Sequence, residues 1–253
     1  MMSLRRKSLH EHIVSEIGKR IVSGEFPAGE PLPSESVLYA ELGISRTALR
    51  EALRVLGAKG LVDARPKRGT VVRGVENWNF LDAEILNWRL DSADQYARVV
   101  DELYELRHLI EPVAASLAAE RATAADIKRM REEYQLLVNA GDDGERFHDP
   151  DVRFHRAIIC ASGNALFSSL ASVMSTALSV NFDIVRNAPA GHKHSMPDHK
   201  RVLDAIVAHD GPAARLAMQR LIDNSQRQAR LIRRQRSRAP RLAKANVLRA
   251  HSR

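Results

Sequence analysis

Asp151, His155 and His199 are the residues whose types and spacing point most directly to chemistry. Asp151 and His155 lie four residues apart in a segment of helical periodicity, so both fall on the face that Ile158 continues. His199 falls on another apolar helical stripe, together with Val202. Because buried ionisable groups need partners, two imidazoles and a carboxylate suit a divalent metal ion. The alternative is a set of hydrogen-bonded core histidines, and spacing alone favours that alternative.

Arg107 is a fourth candidate, on a predicted helical face that it shares with Leu103, Ile110 and Glu111. A guanidinium can donate two parallel hydrogen bonds to a carboxylate, so Arg107 suits an anionic ligand. The alternative is an internal ion pair with Glu111, one helical turn away. Spacing does not separate these two roles.

A second group of candidates lies on a predicted helix over residues 46–59, which Ser45 can cap. One arc of this helix carries Arg46, Thr47, Arg50 and Arg54, and apolar side chains fill the opposite arc. Such a helix suits the DNA major groove, where Arg bonds guanine edges or phosphates and Thr reaches a phosphate or a thymine methyl. A solvated face is the alternative, but it usually mixes charges of both signs, and here only Glu51 does so.

The surrounding segments predict a complete DNA-binding module. Apolar periodicity predicts a helix that starts at Leu9 and ends before Gly24, and a short one over residues 35–41. A tight turn at 43–45 joins the short helix to the third. Two strands then flank a basic tip, which contains Lys67, Arg68 and Gly69. The sequence therefore predicts a winged helix-turn-helix over residues 1–75.

The rest of the chain predicts helices. From residue 78 onward few stretches alternate with a period of two, which indicates an all-helical bundle over residues 76–236. Pro112 predicts a kink or break within it. Residues 237–253 lose apolar periodicity around Pro240, which predicts a basic, disordered tail. The predicted fold class is thus α with a small β-wing.

Charge is distributed unevenly along the 253 residues, whose net charge is +8. Residues 1–73 carry +5, residues 74–225 carry −7 and residues 226–253 carry +10. Because both ends of the chain are basic and its middle is acidic, we expect the ends to bind polyanions.

Several classes of protein are disfavoured by what the chain lacks. No apolar run approaches the roughly 18 residues that a membrane helix needs, and the one cysteine cannot form an internal disulfide, so we expect no membrane and a reducing cytoplasm. The sequence has no Gly-rich phosphate loop, no Gly-x-Ser-x-Gly and no two-histidine helix with a catalytic Glu. We therefore expect a protein that is not an enzyme.

The N-terminal motifs resemble the GntR family of bacterial regulators. The runs 29–35 (GEPLPSE), 42–53 (LGISRTALREAL) and 68–70 (RGT) carry the resemblance. It implies that Arg46, Thr47 and Arg50 contact operator DNA, and that Gly69 at the wing tip approaches the minor groove. Many members have an arginine that touches DNA where this chain has Ser36, so that contact is missing here or is supplied by the wing or tail.

The C-terminal motifs are similar to the FadR-type effector domain, often called FCD. They lie at residues 105–112, 118–123, 151–155, 162–164 and 199–206. This resemblance implies a bundle of six or seven helices that forms the dimer and binds carboxylate metabolites, often beside a metal ion. It implies that the effector is bound by Arg107, Asp151, His155 and His199, and that the last three are the metal ligands.

One position departs from the usual metal site of that domain. The family's third histidine would stand 22 positions beyond His199, where this chain has Leu221. The resemblance then implies Zn²⁺ or Ni²⁺ bound weakly, or no metal. His192 and His194 are candidates to replace the missing ligand.

The expected function is a metabolite-responsive DNA-binding regulator, with repression the favoured sign. We expect a homodimer on a pseudo-palindromic operator, released by a small carboxylate effector. Residues 78–88 are similar to the linker of galactonate-operon repressors, which favours a sugar acid such as galactonate. The alternatives are another organic acid or acyl-CoA as effector, a metal-dependent enzyme, and a non-specific nucleic-acid binder.

Overall fold

The computed structural model describes residues 9–141, 143–185 and 195–250. The chain divides into two compact units, Met1–Val99 and Val100–Arg253. The architecture is helical apart from one two-stranded sheet, which confirms the predicted fold class.

The N-terminal unit contains the predicted winged helix-turn-helix. Its helices are α1 (Leu9–Val22), α2 (Glu35–Leu42) and α3 (Arg46–Ala58). Gly43 ends α2 with a φ of 65°, a left-handed conformation that glycine adopts without strain. Ser45 caps α3, because its side chain accepts a hydrogen bond from the Ala48 N–H at 3.2 Å. The tight turn between α2 and α3 is therefore fixed by backbone chemistry at both of its ends.

The wing is an antiparallel hairpin of β1 (Val62–Arg65) and β2 (Gly69–Val72). Its register pairs Val62 with Val72 and Arg65 with Gly69. Lys67 and Gly69 both have positive φ, of 60° and 72°, as a tight reversal requires. The reversal leaves Lys67 and Arg68 exposed at the tip.

A fourth helix, α4 (Ala83–Asp91), belongs to the N-terminal unit and packs on α1. Trp88 lies so close to Gly18 that a Cβ there would stand 2.4 Å from the indole ring. Lys59 adds ion pairs to Asp82 at 2.6 Å and to Glu84 at 2.8 Å. Apolar residues beyond the predicted boundary at residue 75 therefore complete the core of the first unit.

The second unit is a bundle of helices. They are α5 (Ala93–Arg121), which starts in the first unit, α6 (Ala124–Ala140), α7 (Gly144–Ala161), α8 (Ala165–Ser169), α9 (Ala171–Val185), α10 (Met196–Val207) and α11 (Gly211–Ala250). The closest pairs are α6 with α7 and α10 with α11. Helix α5 is joined to the bundle by side chains, among them His209, whose ring lies 2.8 Å from the Ala119 carbonyl oxygen. The helical bundle was predicted correctly.

Two prolines lie inside continuous helices. Helix α5 runs through Pro112 without the break that was one of the two expected outcomes, and α11 continues through Pro240 to Ala250. The disordered tail over residues 237–253 stays a prediction. A proline inside a helix removes one backbone hydrogen bond and strains the preceding turn. The Leu, Ala, Arg, Lys and Glu residues around these prolines have high helix propensity, which favours continuation on both sides.

No helix in the part of the chain that the structure describes is both long and apolar enough to cross a membrane.

Candidate effector and DNA-binding sites

Two helices of the C-terminal unit bring the predicted metal-binding residues together. Helix α7 carries Asp151 and His155, and α10 carries His199. One potential ligand atom from each residue lies within 4.8 Å of the others. The Nε2 atom of His199 is 2.9 Å from Asp151 Oδ1, and that of His155 is 3.9 Å from the same oxygen. The three residues form a compact set of nitrogen and oxygen donors.

Aromatic rings enclose this cluster. The Phe154 ring centroid lies 5.9 Å from that of His155 and 5.4 Å from that of His199. Phe147 meets His199 edge-on from another side, at 6.2 Å. Both histidine side chains are almost fully buried. Because apolar surroundings lower the local dielectric, charges in this cluster interact strongly with one another.

The hydrogen bonds on the far side of each imidazole determine which nitrogen faces the cluster. His199 Nδ1 lies 2.8 Å from the Ser195 carbonyl oxygen, which can only accept, so Nδ1 is the donor. His155 Nδ1 likewise donates to a carboxylate oxygen of Glu111 at 2.5 Å. In neutral imidazoles both Nε2 atoms then carry lone pairs directed at Asp151. A lone pair facing a carboxylate is favourable only with a cation between them or with a proton on the ring.

Glu111 connects this cluster to Arg107. Its Oε2 accepts from His155, and its Oε1 accepts from Arg107 Nε at 2.6 Å. The Glu111 side chain is fully buried and that of Arg107 is 3 % exposed. The ion pair weighed from the sequence is therefore present, and so are the hydrogen-bonded histidines. The second partner of Glu111 was missed, because His155 is 44 residues away in the chain.

The electrostatics of the network keep its carboxylates ionised. Burial alone would raise the pKa of Glu111, but the charges of Arg107 and His155 and their hydrogen bonds outweigh it and lower the pKa to about 2. Burial also acts to raise the pKa of Asp151, and the His199 hydrogen bond with the nearby positive charges lowers it to about 2. The cluster thus presents negative charge to a cation at neutral pH.

Arg107 keeps part of its guanidinium available. Its Nη1 atom is buried and has no hydrogen-bond partner among the described residues. The ring of Tyr104 lies beneath the guanidinium, 5.6 Å from its central carbon. An unsatisfied buried donor costs about 1–3 kcal/mol, and more when it is charged. Such a group can donate a hydrogen bond to an oxygen atom of a ligand.

Among the described residues, Leu221 offers no ligand atom to this cluster. Leu221, where the family's further histidine would stand, is a buried apolar residue of α11. His192 and His194 lie outside the described residues.

On the N-terminal unit, the predicted DNA-reading face of α3 is exposed. Arg46, Thr47 and Arg50 all face solvent, and Leu49, Ala52 and Leu56 are buried on the opposite side. The Arg46 guanidinium lies 5.3 Å from the centre of the Tyr39 ring. The helix therefore packs by its apolar stripe and presents its basic arc, as the sequence predicted.

Two arginines of this helix are paired with acidic neighbours, and sequence spacing did not indicate one of these pairs. Arg50 Nε donates to Glu35 at 3.2 Å, across 15 residues of chain. Arg54 is paired with Glu51, three residues earlier, at 2.6 Å. Only the second of these pairs has the spacing of helical neighbours.

A groove of about 490 Å³ separates α3 from the wing. Three arginines and two acidic residues contribute to its walls, which consist of Glu35, Arg50, Leu53, Arg54, Gly57, Val62, Asp63, Ala64, Thr70 and Arg73. Ser36, which replaces the arginine common in the resembled family, bonds to Ser34 through their hydroxyls at 2.8 Å. Arg73 is therefore a further basic group beside the predicted contacts, together with Arg54, which the sequence already placed on the basic arc.

Comparison with known proteins agrees with this two-part organisation. Residues 9–72 match the model for bacterial regulatory proteins of the gntR family, and residues 102–224 match the FCD domain. The galactonate operon transcriptional repressor of Escherichia coli K12 is 34 % identical over 226 residues, which cover 88 % of this chain and 97 % of that protein.

Two further relatives extend the comparison. An uncharacterised HTH-type regulator of E. coli K12, YieP, is 34 % identical over 86 % of this chain and 94 % of its own length. The solved structure of Lar from Listeria monocytogenes matches with a TM-score of 0.61 at 19 % identity, over 88 % of this chain and 97 % of that one, which supports the fold alone.

The family and these relatives consist of transcriptional regulators, and the enzyme alternative is set aside on that ground. The chain belongs to the GntR family of DNA-binding transcriptional regulators and carries an FCD effector domain.

Proposed function

We propose that this regulator is a repressor that a small hydroxylated carboxylate, favoured to be a sugar acid such as galactonate, releases from its operator. The observation that carries the proposal is the buried Nη1 of Arg107, which has no partner among the described residues. A carboxylate would satisfy this donor and neutralise the guanidinium's remaining charge. The E. coli relative is named for the galactonate operon, which favours a hexonate as the acid.

Asp151, His155 and His199 would hold a divalent metal ion, Zn²⁺ or Ni²⁺. The residues fit such an ion because both Nε2 lone pairs and an ionised carboxylate converge within 4.8 Å. A bound ion would supply positive charge that attracts the effector's carboxylate and hydroxyl oxygens. With Leu221 in place of a further imidazole, we expect the ion to be weakly held and readily exchanged.

Operator binding would use the exposed face of α3 and the wing. Arg46, Thr47 and Arg50 would enter the major groove, with Ser45 at the start of the helix close to the phosphates. Lys67, Arg68 and Gly69 would follow the adjacent minor groove. A homodimer would present two such modules to a pseudo-palindromic site, and action on an operon implies the bacterial cytoplasm.

The DNA part of the proposal is tested with an operator selected by the protein from a random-sequence DNA pool. Replacing Arg46 or Arg50 with Ala should cost about 1–3 kcal/mol of binding free energy and relax preference at one half-site position, measured by fluorescence anisotropy. Unchanged binding of operator and of random DNA by both variants would mean that α3 is not the reading helix.

The effector part is tested by adding D-galactonate to the preformed complex. Arg107→Ala should bind operator normally but no longer release it, because the carboxylate loses its partner. Arg107→Lys keeps a cation beside Glu111 but lacks the two parallel N–H groups that bind a carboxylate. We therefore expect D-galactonate to release this variant from operator poorly as well. Arg153→Ala is the matched control, since Arg153 is a half-exposed arginine paired with Glu133 on the bundle surface.

The second candidate is a regulator of the same kind with another effector, either a different organic acid or an acyl-CoA. Calorimetry separates these ligand classes directly. Tight binding of acyl-CoA with no binding of hexonates would contradict the sugar-acid proposal and leave the DNA-binding part unaffected.

A further inference from the structure

We propose that Glu111 is a positioning residue that serves the cation cluster and the anion-binding arginine at once. The inference rests on the proposed function, because it concerns how that site is organised. Glu111 lies on α5, between Arg107 on the same helix and His155 on α7. Its carboxylate would set both the proton position of His155 and the orientation of Arg107.

The geometry assigns one oxygen of Glu111 to each neighbour. Oε1 accepts from Arg107 Nε at 2.6 Å and Oε2 accepts from His155 Nδ1 at 2.5 Å. The side chain is fully buried, so water does not compete for either oxygen. Glu111 therefore acts on a ligand only through the two residues that it holds.

The consequence for His155 is a fixed tautomer. A carboxylate cannot donate, so Nδ1 must carry the proton and Nε2 keeps its lone pair for a metal ion. Carboxylates behind metal-binding histidines have this effect, and their loss typically weakens metal affinity 10–100-fold.

The consequence for Arg107 is a fixed direction of the guanidinium. Because Glu111 takes the Nε side of the group, Nη1 is left as the donor without a partner. The cation and anion halves of the site then depend on one common carboxylate. A substitution that touches neither ligand should accordingly weaken both.

Glu111→Gln is the decisive variant, because the amide keeps the shape of the carboxylate but replaces one acceptor with a donor. If the amide nitrogen faces His155, the imidazole proton moves to Nε2 and blocks the metal-binding lone pair. If it faces Arg107, two donors oppose each other and the guanidinium turns away. Glu105→Gln is the matched control, since Glu105 is an exposed glutamate on the same helix.

The measurement is calorimetric titration of the full chain with NiCl₂ alone and with D-galactonate alone. Glu111→Gln should lower both affinities about tenfold or more, and Glu105→Gln should lower neither. If the unsubstituted protein binds both probes and Glu111→Gln binds them equally well, this inference fails although the proposed function stands. If the unsubstituted protein binds neither probe, the proposed function itself fails.

A second measurement does not depend on the folding of a variant. In chelator-treated, ¹⁵N-labelled protein, long-range ¹H–¹⁵N correlations should show a proton on His155 Nδ1, with or without a second proton on Nε2. A ring whose only proton is on Nε2 would overturn the proposed role of Glu111.

Discussion

Two regions of the molecule pair arginine with glutamate through the same atoms but in opposite surroundings. In the effector domain Arg107 Nε meets Glu111 at 2.6 Å, with side chains 3 % and 0 % exposed. On the DNA-binding unit Arg50 Nε meets Glu35 at 3.2 Å, with side chains 72 % and 44 % exposed. Water can replace either partner of the surface pair but neither partner of the buried one.

This difference in burial matches the different tasks that we propose for the two arginines. A buried pair is costly to break and therefore holds a side chain in one position, as a ligand-binding group requires. An exposed pair contributes little to stability, so its arginine can exchange a glutamate for a phosphate or a base at small cost. Lys59 lies between these extremes, 12 % exposed and paired with Asp82 and Glu84. The three sites form a series in which the effect of substitution should fall as exposure rises.

The largest effect is expected for Glu111→Ala. Removing one member of a buried ion pair leaves an uncompensated charge, which typically costs about 3–5 kcal/mol of unfolding free energy. Urea denaturation followed by far-ultraviolet circular dichroism measures this loss in the helical bundle. A loss no larger than that of an exposed glutamate such as Glu105 would contradict the comparison.

An intermediate effect is expected for Lys59→Met. The variant loses two charged hydrogen bonds to the segment that starts α4, which should cost about 1–2 kcal/mol after allowance for partial exposure. Tryptophan fluorescence reports this unit, because the chain's two tryptophans, Trp78 and Trp88, both belong to its core.

The ion pairs of Lys59 with Asp82 and Glu84 also predict that stability depends on pH in the alkaline range. Burial alone would lower the pKa of Lys59, but hydrogen bonds to Asp82 and Glu84 outweigh it and raise the pKa above 10.5. Its stabilising contribution is therefore complete below pH 10.5 and is lost as the pH rises through the higher folded-state value. The difference between parent and Lys59→Met should shrink in that range, and a difference that grew with pH would show that the charge is not responsible.

Glu35→Gln should have the smallest effect on stability. Unlike the other substitutions, it should also strengthen a function, the binding of DNA. Loss of an exposed pair should change unfolding free energy by less than about 1 kcal/mol. DNA affinity should rise a few-fold at low salt, because a carboxylate no longer competes with DNA for Arg50, and the gain should fade as salt increases. Glu25→Gln is the control, since Glu25 pairs with Arg20 away from the reading face. Equal gains in the two variants would indicate an effect of net charge alone.

Local features of the sequence were sufficient to predict most of the fold. The cap at Ser45, the turn at Gly43 and the hairpin of the wing depend on residues close to one another in the sequence, so they could be predicted without the tertiary structure. Elsewhere packing or context outweighs a local rule. Pro112 and Pro240 do not end their helices, and α4 packs on α1 although it lies beyond the boundary predicted at residue 75.

In the candidate site, too, some features follow from the local sequence and others only from the tertiary structure. The sequence by itself determined that Arg107, Asp151, His155 and His199 lie on apolar faces, because helical periodicity places them there. Only the tertiary structure decided their partners. His199 meets Asp151 across 48 residues, and one carboxylate, that of Glu111, holds both Arg107 and His155. Periodicity fixes which face a residue occupies, whereas its hydrogen-bond partner depends on which helix packs against that face and in what register.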